Sequence, residues 1–318
     1  MSSSFNIQYL SHKDIDKKKW DKCIINASNN LIYARSLYLD IMAKNWDALV
    51  MFKGLLPEND YEAVMPLTWN KKYGFYYLYQ PFFTASLGIF GEDLHADLVR
   101  QFLVAIPKKF IYWDIDMNEQ NLLGDHSMNK KIHPAKRINI FLPLNKNYEQ
   151  IAAGYSRLAK RKLINSAQYE VVVNKNIDPA IVIEQYSVHY EKTNGAIPKK
   201  GYNQLSDLVA VLPKDNYRAY SAILPGNEIA AFYLVYTDEK FIYSIIGGST
   251  ENGKNAGAFY LLTDAVIREF AGSNKIFRFE GSDIPGIAFF DMQFGSYKVE
   301  YWHLKMNDLP WPVNLLKK

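Results

Sequence analysis

Residues 217–280 read YRAYSAILPG NEIAAFYLVY TDEKFIYSII GGSTENGKNA GAFYLLTDAV IREFAGSNKI FRFE. Apolar runs broken by turn residues give the first reading. Tyr217–Leu224 is a strand, stopped at Pro225, Gly226 and Asn227. Glu228–Tyr236 is a second strand, turned at Thr237-Asp238-Glu239-Lys240, and Phe241–Ile246 is a third that runs into Gly247 and Gly248. A glycine-bearing loop over Ser249–Gly257 follows. Leu262, Val266 and Phe270 recur at helical spacing, which predicts a helix over Phe259–Phe270. Lys275–Glu280 is a closing strand. Hairpins join antiparallel neighbours, and a strand–helix–strand crossover joins parallel ones. The segment therefore predicts a mostly antiparallel sheet with one parallel pair near its centre. Such a pair parts at its strand ends, where a ligand enters.

Working outward, residues 48–117 repeat the pattern. Ala48–Lys53, Tyr61–Trp69 and Phe75–Tyr79 read as strands, with turns at Pro57, Asn59 and Asp60 and at Asn70–Gly74. The chain then passes Gly88 and Gly91. Leu94, Leu98, Phe102 and Ala105 mark a helix over Asp93–Ile106, and Phe110–Asp116 is a further apolar strand. Element order, turn positions and lengths agree, which favours duplication of one domain over chance. The period is too long for a solenoid. Trp20–Asn26 and Ser36–Lys44 add helices at the start. Tyr148–Gln168 reads as one long helix opening the second half, followed by a strand at Tyr169–Val173 and helices at Pro179–Glu191 and Tyr202–Leu212. Pro285–Gln293 is a short helix and Tyr297–Lys305 a last strand. The expected fold class is α/β (α+β), with two tandem domains, 1–146 and 147–318, meeting near Pro143-Leu144-Asn145-Lys146-Asn147.

Composition narrows the chemistry. Of 318 residues, 48% are hydrophobic and 22% charged, an ordinary globular balance. With 23 Tyr and 18 Phe, many half-buried walls are expected, since Tyr buries its ring while offering a hydroxyl. The net charge of +4 fits phosphate-bearing small molecules or tRNA without demanding either. Cys23 stands alone, so no intrachain disulfide is available, and its helical setting suits a small buried apolar residue. Met1–Phe5 has no apolar signal core, and no run of about 18 apolar residues occurs, so a cytoplasmic protein without integral membrane contact is expected. The six histidines (12, 95, 126, 133, 189, 303) show no metal-ligand spacing, and neither Gly-x-Ser-x-Gly nor a Walker loop is present. No metal, nicotinamide or ATP site is expected, and no DNA partner.

Four stretches carry a resemblance. They are the basic helix Tyr155–Lys162; Tyr190-Glu191-Lys192-Thr193-Asn194-Gly195; the hairpins from Tyr217 to Gly248 with the helix after them; and Phe279-Glu280-Gly281-Ser282-Asp283-Ile284-Pro285-Gly286 with Phe289-Phe290 and Phe294-Gly295. In these the sequence resembles the FemAB-like group of the GNAT superfamily, most specifically in the last stretch. The resemblance covers residues 148–305, and the first half by architecture alone. It implies two GNAT-like domains and transfer of an acyl or aminoacyl group to an amine. The donor would be acyl-CoA or aminoacyl-tRNA as co-substrate, with no tightly bound cofactor, and the acceptor a small-molecule or cell-wall-precursor-like amine. Fold alone does not fix function.

Acyl transfer to an amine needs a bound donor, an oriented amine, a route for its proton and stabilisation of the oxyanion. Donor phosphates could sit on Gly253, Lys254, Asn255, Ala256, Gly257 and Ala258, where glycines allow close approach and the next helix offers free N–H groups. The loop departs from the GNAT pattern Gln/Arg-x-x-Gly-x-Gly/Ala, and an ordinary loop before a helix explains it equally. Arg157, Lys160 and Arg161 share one helical face, either as a phosphate clamp or as a solvated surface backing Ile151, Tyr155 and Leu158. Glu280 could accept the amine proton, or cap the Pro285 helix, or pair with Arg278. Asp283 lies close behind it. The helix where many GNAT enzymes place a tyrosine acid carries Phe289 and Phe290, so Tyr243 and Tyr297 are the substitutes, Tyr243 preferred. Tyr190, Lys192 and Asn194, before the Gly195–Lys200 turn, are candidate substrate contacts. Three readings remain open: an N-acyltransferase, an aminoacyl-tRNA-dependent ligase, and a scaffold that keeps the double fold without the chemistry.

Overall fold

The computed structural model describes residues 6–52, 59–124, 131–190 and 197–316. Within it the chain forms two units, Met1–Arg137 with Glu300–Lys318, and Ile138–Val299. Each is a mixed, mostly antiparallel sheet flanked by helices.

The first unit contains β1 (Ile7–Leu10), α1 (Lys17–Asn26), α2 (Ser36–Met42), β2 (Trp46–Phe52), β3 (Tyr61–Lys72), β4 (Phe75–Tyr79), β5 (Phe90–Gly91), α3 (Ala96–Ala105), β6 (Phe110–Asp116) and the start of β7 (Ile132–Pro143). Its sheet order is β1-β2-β3-β4-β6, with β5 on β3. All these neighbours are antiparallel except β4 and β6. Leu98, Val99 and Phe102 of α3 pack on Leu49, Met65, Leu67 and Trp113 of the sheet. Each such side chain, fully buried, contributes about 1.5–3 kcal/mol.

The second unit contains the rest of β7, then α4 (Tyr148–Ala153), α5 (Arg157–Gln168), β8 (Val172–Asn174), α6 (Pro179–Tyr190), α7 (Lys199–Val211), β9 (Tyr217–Leu224), β10 (Glu228–Thr237), β11 (Phe241–Ser249), α8 (Glu251–Ala256), α9 (Ala258–Phe270), β12 (Ile276–Arg278), α10 (Pro285–Asp291) and the start of β13 (Tyr297–Asn307). Its sheet order is β7-β12-β11-β10-β9-β8, and only β11 and β12 run parallel. Leu262, Val266 and Ile267 of α9 are buried against Tyr220, Tyr233, Val235 and Phe277. The division is not a single cut after residue 146. β13 pairs with β6 through His303–Asn307, which returns the C-terminal segment to the first unit. The end of β7 pairs with β12, which draws residues from 138 onward into the second.

Several elements differ from expectation. The helix expected over Tyr148–Gln168 is two, broken at Gly154–Ser156. Ser156 caps α5 by accepting from the Ala159 N–H, donates its hydroxyl to Gln293 Oε1 (2.6 Å), and donates its N–H to the Gln293 carbonyl (2.9 Å). Tyr155 turns inward at the break, with its ring against Phe294 and its hydroxyl on buried Asp264. The loop expected over Ser249–Gly257 contains α8, capped by Thr250 Oγ1 accepting from the Gly253 N–H (3.1 Å). β1, β5 and β7 were not foreseen.

Candidate functional site

β11 and β12 pair at only three positions, Phe241↔Ile276, Ile242↔Phe277 and Tyr243↔Arg278, and then part. β11 runs on to Ser249, while the other chain swings away through Glu280 (φ 56°) and Gly281 (φ 67°). A left-handed conformation at a residue other than glycine costs on the order of 1–3 kcal/mol and persists only where the surroundings enforce it. On the opposite edge of β11 the ladder to β10 skips one residue: Val235 faces Ser244 and Leu234 faces Ile246. Ile245 is thus the extra residue of a β-bulge, paired in neither ladder, and a bulge re-aims the strand and frees its backbone groups. The gap between the parted strands is a cleft of about 660 Å³. Its floor is Tyr233 and residues 244–249, one wall is Tyr186, His189, Tyr190 and Tyr202, and the other is Phe279, Glu280, Gly281, Ile287, Phe290 and Asp291. Phe259 of α9 and Lys254 of α8 complete the lining.

Two carboxyl groups face this space in contrasting surroundings. Glu280 is 8% exposed and both its oxygens are engaged: Arg278 Nε donates to Oε1 (2.8 Å) and Asn139 Nδ2 to Oε2 (2.6 Å). Arg278 is fully buried, with its guanidinium against the rings of Phe141, Phe241 and Tyr243. Asp291, 3% exposed, has no cation beside it among the groups that shift it. Its carboxyl is pushed up from 3.8 to about 8, chiefly by burial and in smaller part by the nearby charge of Glu280, against a hydrogen bond from Ser282 Oγ (3.0 Å) that works the other way. On the floor, Tyr233 donates to Ser244 Oγ (3.0 Å), and burial holds its phenol well above the usual range.

The first unit has the equivalent parallel pair, β4 with β6, but among the described residues no equivalent opening between them. Past Tyr79↔Asp114 the gap is filled by the chain itself, where Leu87 donates to the Asp116 carbonyl (2.9 Å) and accepts from the Asn118 N–H (2.8 Å). Buried Asn29, Asn118 and Asn121 all donate side-chain hydrogen bonds to the Ile89 carbonyl. The void left beside Gln80, Leu87 and Asp116 is about 10 Å³, room for one water at most.

No protein-family model and no curated protein matches the sequence. Solved structures do match in shape. The crystal structure of FemX is similar at a TM-score of 0.62, with 12% identity, over 98% of this chain and 99% of that one. A tandem GNAT protein from the clavulanic acid biosynthesis pathway is similar at 0.53, with 12% identity, over 96% of this chain and 99% of that one. The fold is the FemAB-like tandem GNAT fold. The C-terminal domain of a putative lysylphosphatidylglycerol synthetase from Agrobacterium fabrum shares it at 0.54, with 13% identity, over 95% of this chain and 94% of that one. At such identities the likeness is one of fold.

Within this tandem GNAT fold the expected site residues separate. Glu280, Tyr190 and Lys254 line the cleft. The Tyr190 ring packs at a tilt against Tyr186 (4.5 Å between ring centres), and burial raises its phenol while Lys254 lowers it. The stretch 191–196 after it lies outside the described residues. Tyr243 is not in the lining: strand side chains alternate, so Ser244 faces the cleft and Tyr243 the other side, donating to Asp238 Oδ2 (2.6 Å). Arg157, Lys160 and Arg161 are exposed on α5, away from the lining, with Lys160 Nζ on the Ala153 carbonyl. Asp283 accepts from the Ile138 N–H (3.1 Å) and tethers β7, and Tyr297 is also outside.

The expected phosphate loop is occupied by packing. A Cβ at Gly253 would stand 1.9 Å from the Ala230 carbonyl oxygen, and one at Gly257 would stand 2.5 Å from that of Lys162. These glycines let α8 press on β10 and α5, while Ala256 and Ala258 are buried and Asn255 is outside the lining. Only Lys254 of the six reaches the cleft, ion-paired with Glu251 (3.2 Å).

Asp291, Ser244 and the Ile245 bulge were missed. Asp291 is the one acidic residue of α10, at the end of Ile287-Ala288-Phe289-Phe290, and a carboxyl closing an apolar run is the signal that pointed to it. Among the described residues no group of three His, Cys, Asp or Glu side chains is placed to hold a metal ion, and no helix is long and apolar enough to cross a membrane.

Proposed function

We propose that the chain is an N-acyltransferase, moving an acyl or aminoacyl group from a thioester or aminoacyl ester to an amine in the cleft of the second unit. The observation that carries this reading is the parting of β11 from β12 with the Ile245 bulge on one side and Glu280 on the other. Acyl transfer is accelerated mainly by positioning and by fixed dipoles aimed at the charge that develops. The bulge supplies backbone groups for the carbonyl oxygen of the donor. Glu280 supplies a fixed carboxylate that orients the amine. Gly247 gives room to the rings of Phe259 and Tyr233, and an extended donor arm lies along β11 beyond Ile245, with Lys254 at that end.

The fold of the neighbours supports a transferase of this kind, and the names FemX and lysylphosphatidylglycerol synthetase point towards cell-wall or lipid acceptors. The donor is acyl-CoA or aminoacyl-tRNA, consumed as co-substrate. One observation favours the second reading, a cleft that binds without turnover: the glycines of the expected phosphate loop are closed by packing.

The test is a panel of acyl-CoAs and charged tRNAs with primary amines. Donor binding raises the melting temperature by mass action, by about 2.7 kcal/mol of stability at a hundredfold excess over Kd. Product is read by mass spectrometry. Binding without product supports the scaffold, and neither shift nor product removes the transferase.

A further inference from the structure

The cleft holds two carboxyl groups, and one transfer needs one proton route. Glu280 is ion-paired with Arg278 and hydrogen-bonded by Asn139, so both its oxygens are committed. Asp291 is buried in the same wall and accepts a hydrogen bond from the Ser282 hydroxyl (3.0 Å). Where two acids in one site sit in opposed environments, their environments assign their roles. We propose that Asp291 is the proton carrier of the cleft, and that the Glu280–Asp291 pair selects a primary amine arriving as its ammonium cation.

This rests on the acyl-transfer reading above. The other titratable groups lining the space are Tyr186, Tyr190 and His189 on α6, Tyr202 on α7, Tyr233 on β10 and Lys254 on α8. Of the two cationic candidates, Lys254 is paired with Glu251 and His189 packs on the Tyr190 ring. Burial leaves Asp291 protonated at neutral pH, and an arriving cation reverses that by stabilising the carboxylate.

The cycle balances. Arrival of the ammonium expels the proton of Asp291 to water. The carboxylate then takes one proton from the ammonium, and the freed lone pair forms the C–N bond to the carbonyl carbon of the donor. The C–S or C–O bond breaks, its electron pair leaves on sulfur or oxygen, and Asp291 protonates that atom. The surplus proton on the new amide nitrogen returns to Asp291. A base titrating near the working pH is the efficient choice for this task.

The test is a carbon-13 carboxyl titration of the aspartate-labelled full chain between about pH 4 and 10, with n-butylamine as probe and n-butanol as its uncharged control. The expected result is a resonance absent from Asp291→Asn, titrating well above ordinary aspartates. Its midpoint should fall by at least about one pH unit in n-butylamine and not in n-butanol. Ser282→Ala, which removes a hydrogen bond favouring the carboxylate, should move the midpoint upward and identifies the resonance even if the Asn variant does not fold. An ordinary midpoint, or one that the amine leaves unmoved, overturns the proposal. Turnover separates the two claims. Asp291→Asn should lower kcat by about a hundredfold or more with KM little changed, and Asp291→Glu should restore part of it. Full activity in Asp291→Asn overturns this inference and leaves the transferase standing. An amine-sensitive Asp291 in a chain that transfers from no donor sinks the transferase and leaves the amine site.

Discussion

Replacing Asp291 by Asn should stabilise the protein in alkaline solution and hardly change it in acid. In the unfolded chain this carboxyl ionises near 3.8, while burial among Ser282, Tyr233 and Phe290 moves it to about 8 in the fold. Between those values the folded chain keeps a proton that the unfolded chain has lost. Stability therefore falls as pH rises through that window and levels off above it. The displacement is about 4 pH units, and at ~1.4 kcal/mol per unit the ceiling is about 5–6 kcal/mol. Asn keeps the shape, still accepts from Ser282 Oγ and carries no charge to desolvate. Urea denaturation at several pH values provides the measurement. Near pH 4 the two proteins should agree within about 1 kcal/mol, and near pH 9 the Asn variant should lead by about 3–6 kcal/mol. A lead that does not grow with pH, or a loss of stability at pH 9, would refute the burial argument. The same variant is expected to lose transfer, a trade of activity against stability seen where a site keeps an unfavourable group for its chemistry.

Other substitutions probe the remaining parts. A Cβ at Gly247 would meet the rings of Phe259 and Tyr233 at 2.7 Å, so Gly247→Ala should cost about 1–3 kcal/mol and weaken donor binding at least tenfold by thermal shift. Gly253→Ala meets the backbone of Ala230 and should lower the melting temperature in the absence of any donor; a normal melting temperature with weakened donor binding would restore the phosphate-loop role. Tyr243→Phe frees Asp238 Oδ2 of this hydrogen bond and should cost about 1–2 kcal/mol while leaving turnover intact, because the hydroxyl faces away from the cleft. Exposed Arg157, Lys160 and Arg161 changed together to Ala should alter stability by less than about 0.5 kcal/mol. If tRNA is the donor, that triple variant also flattens the dependence of its binding on salt, whereas acyl-CoA binding stays unchanged.

The parts legible in the sequence were those decided by neighbours in the chain. Tyr217–Leu224 is observed as a strand with the expected bounds, and Gly226 and Asn227 adopt the positive φ that such a tight turn requires. The strand–helix–strand crossover was readable from apolar spacing alone, and it placed Glu280 beside the gap. What depended on distant partners was not readable. The apolar line Ile151, Tyr155, Leu158 runs straight through the α4–α5 break, and only Gln293, far along the chain, shows why Ser156 starts a new helix. Glycines at 253 and 257 look like a loop because their packing partners, Ala230 and Lys162, are invisible locally. β7 mixes Pro134, Lys136 and Arg137 with a buried end, so it lacks a clean alternation. Asp291 closes an apolar run, but the desolvation that sets its carboxyl apart comes from tertiary neighbours.

The likeness of the two sheets, each with one parallel pair, invites the assumption that each chain takes two equivalents of donor. Leu87, and Ile89 with the three asparagines that donate to its carbonyl, argue otherwise, since one of the two slots is plugged by covalent sequence that no concentration of ligand can compete away. A titration should therefore saturate at a stoichiometry of one per chain, along a simple hyperbola, with no second phase at high concentration.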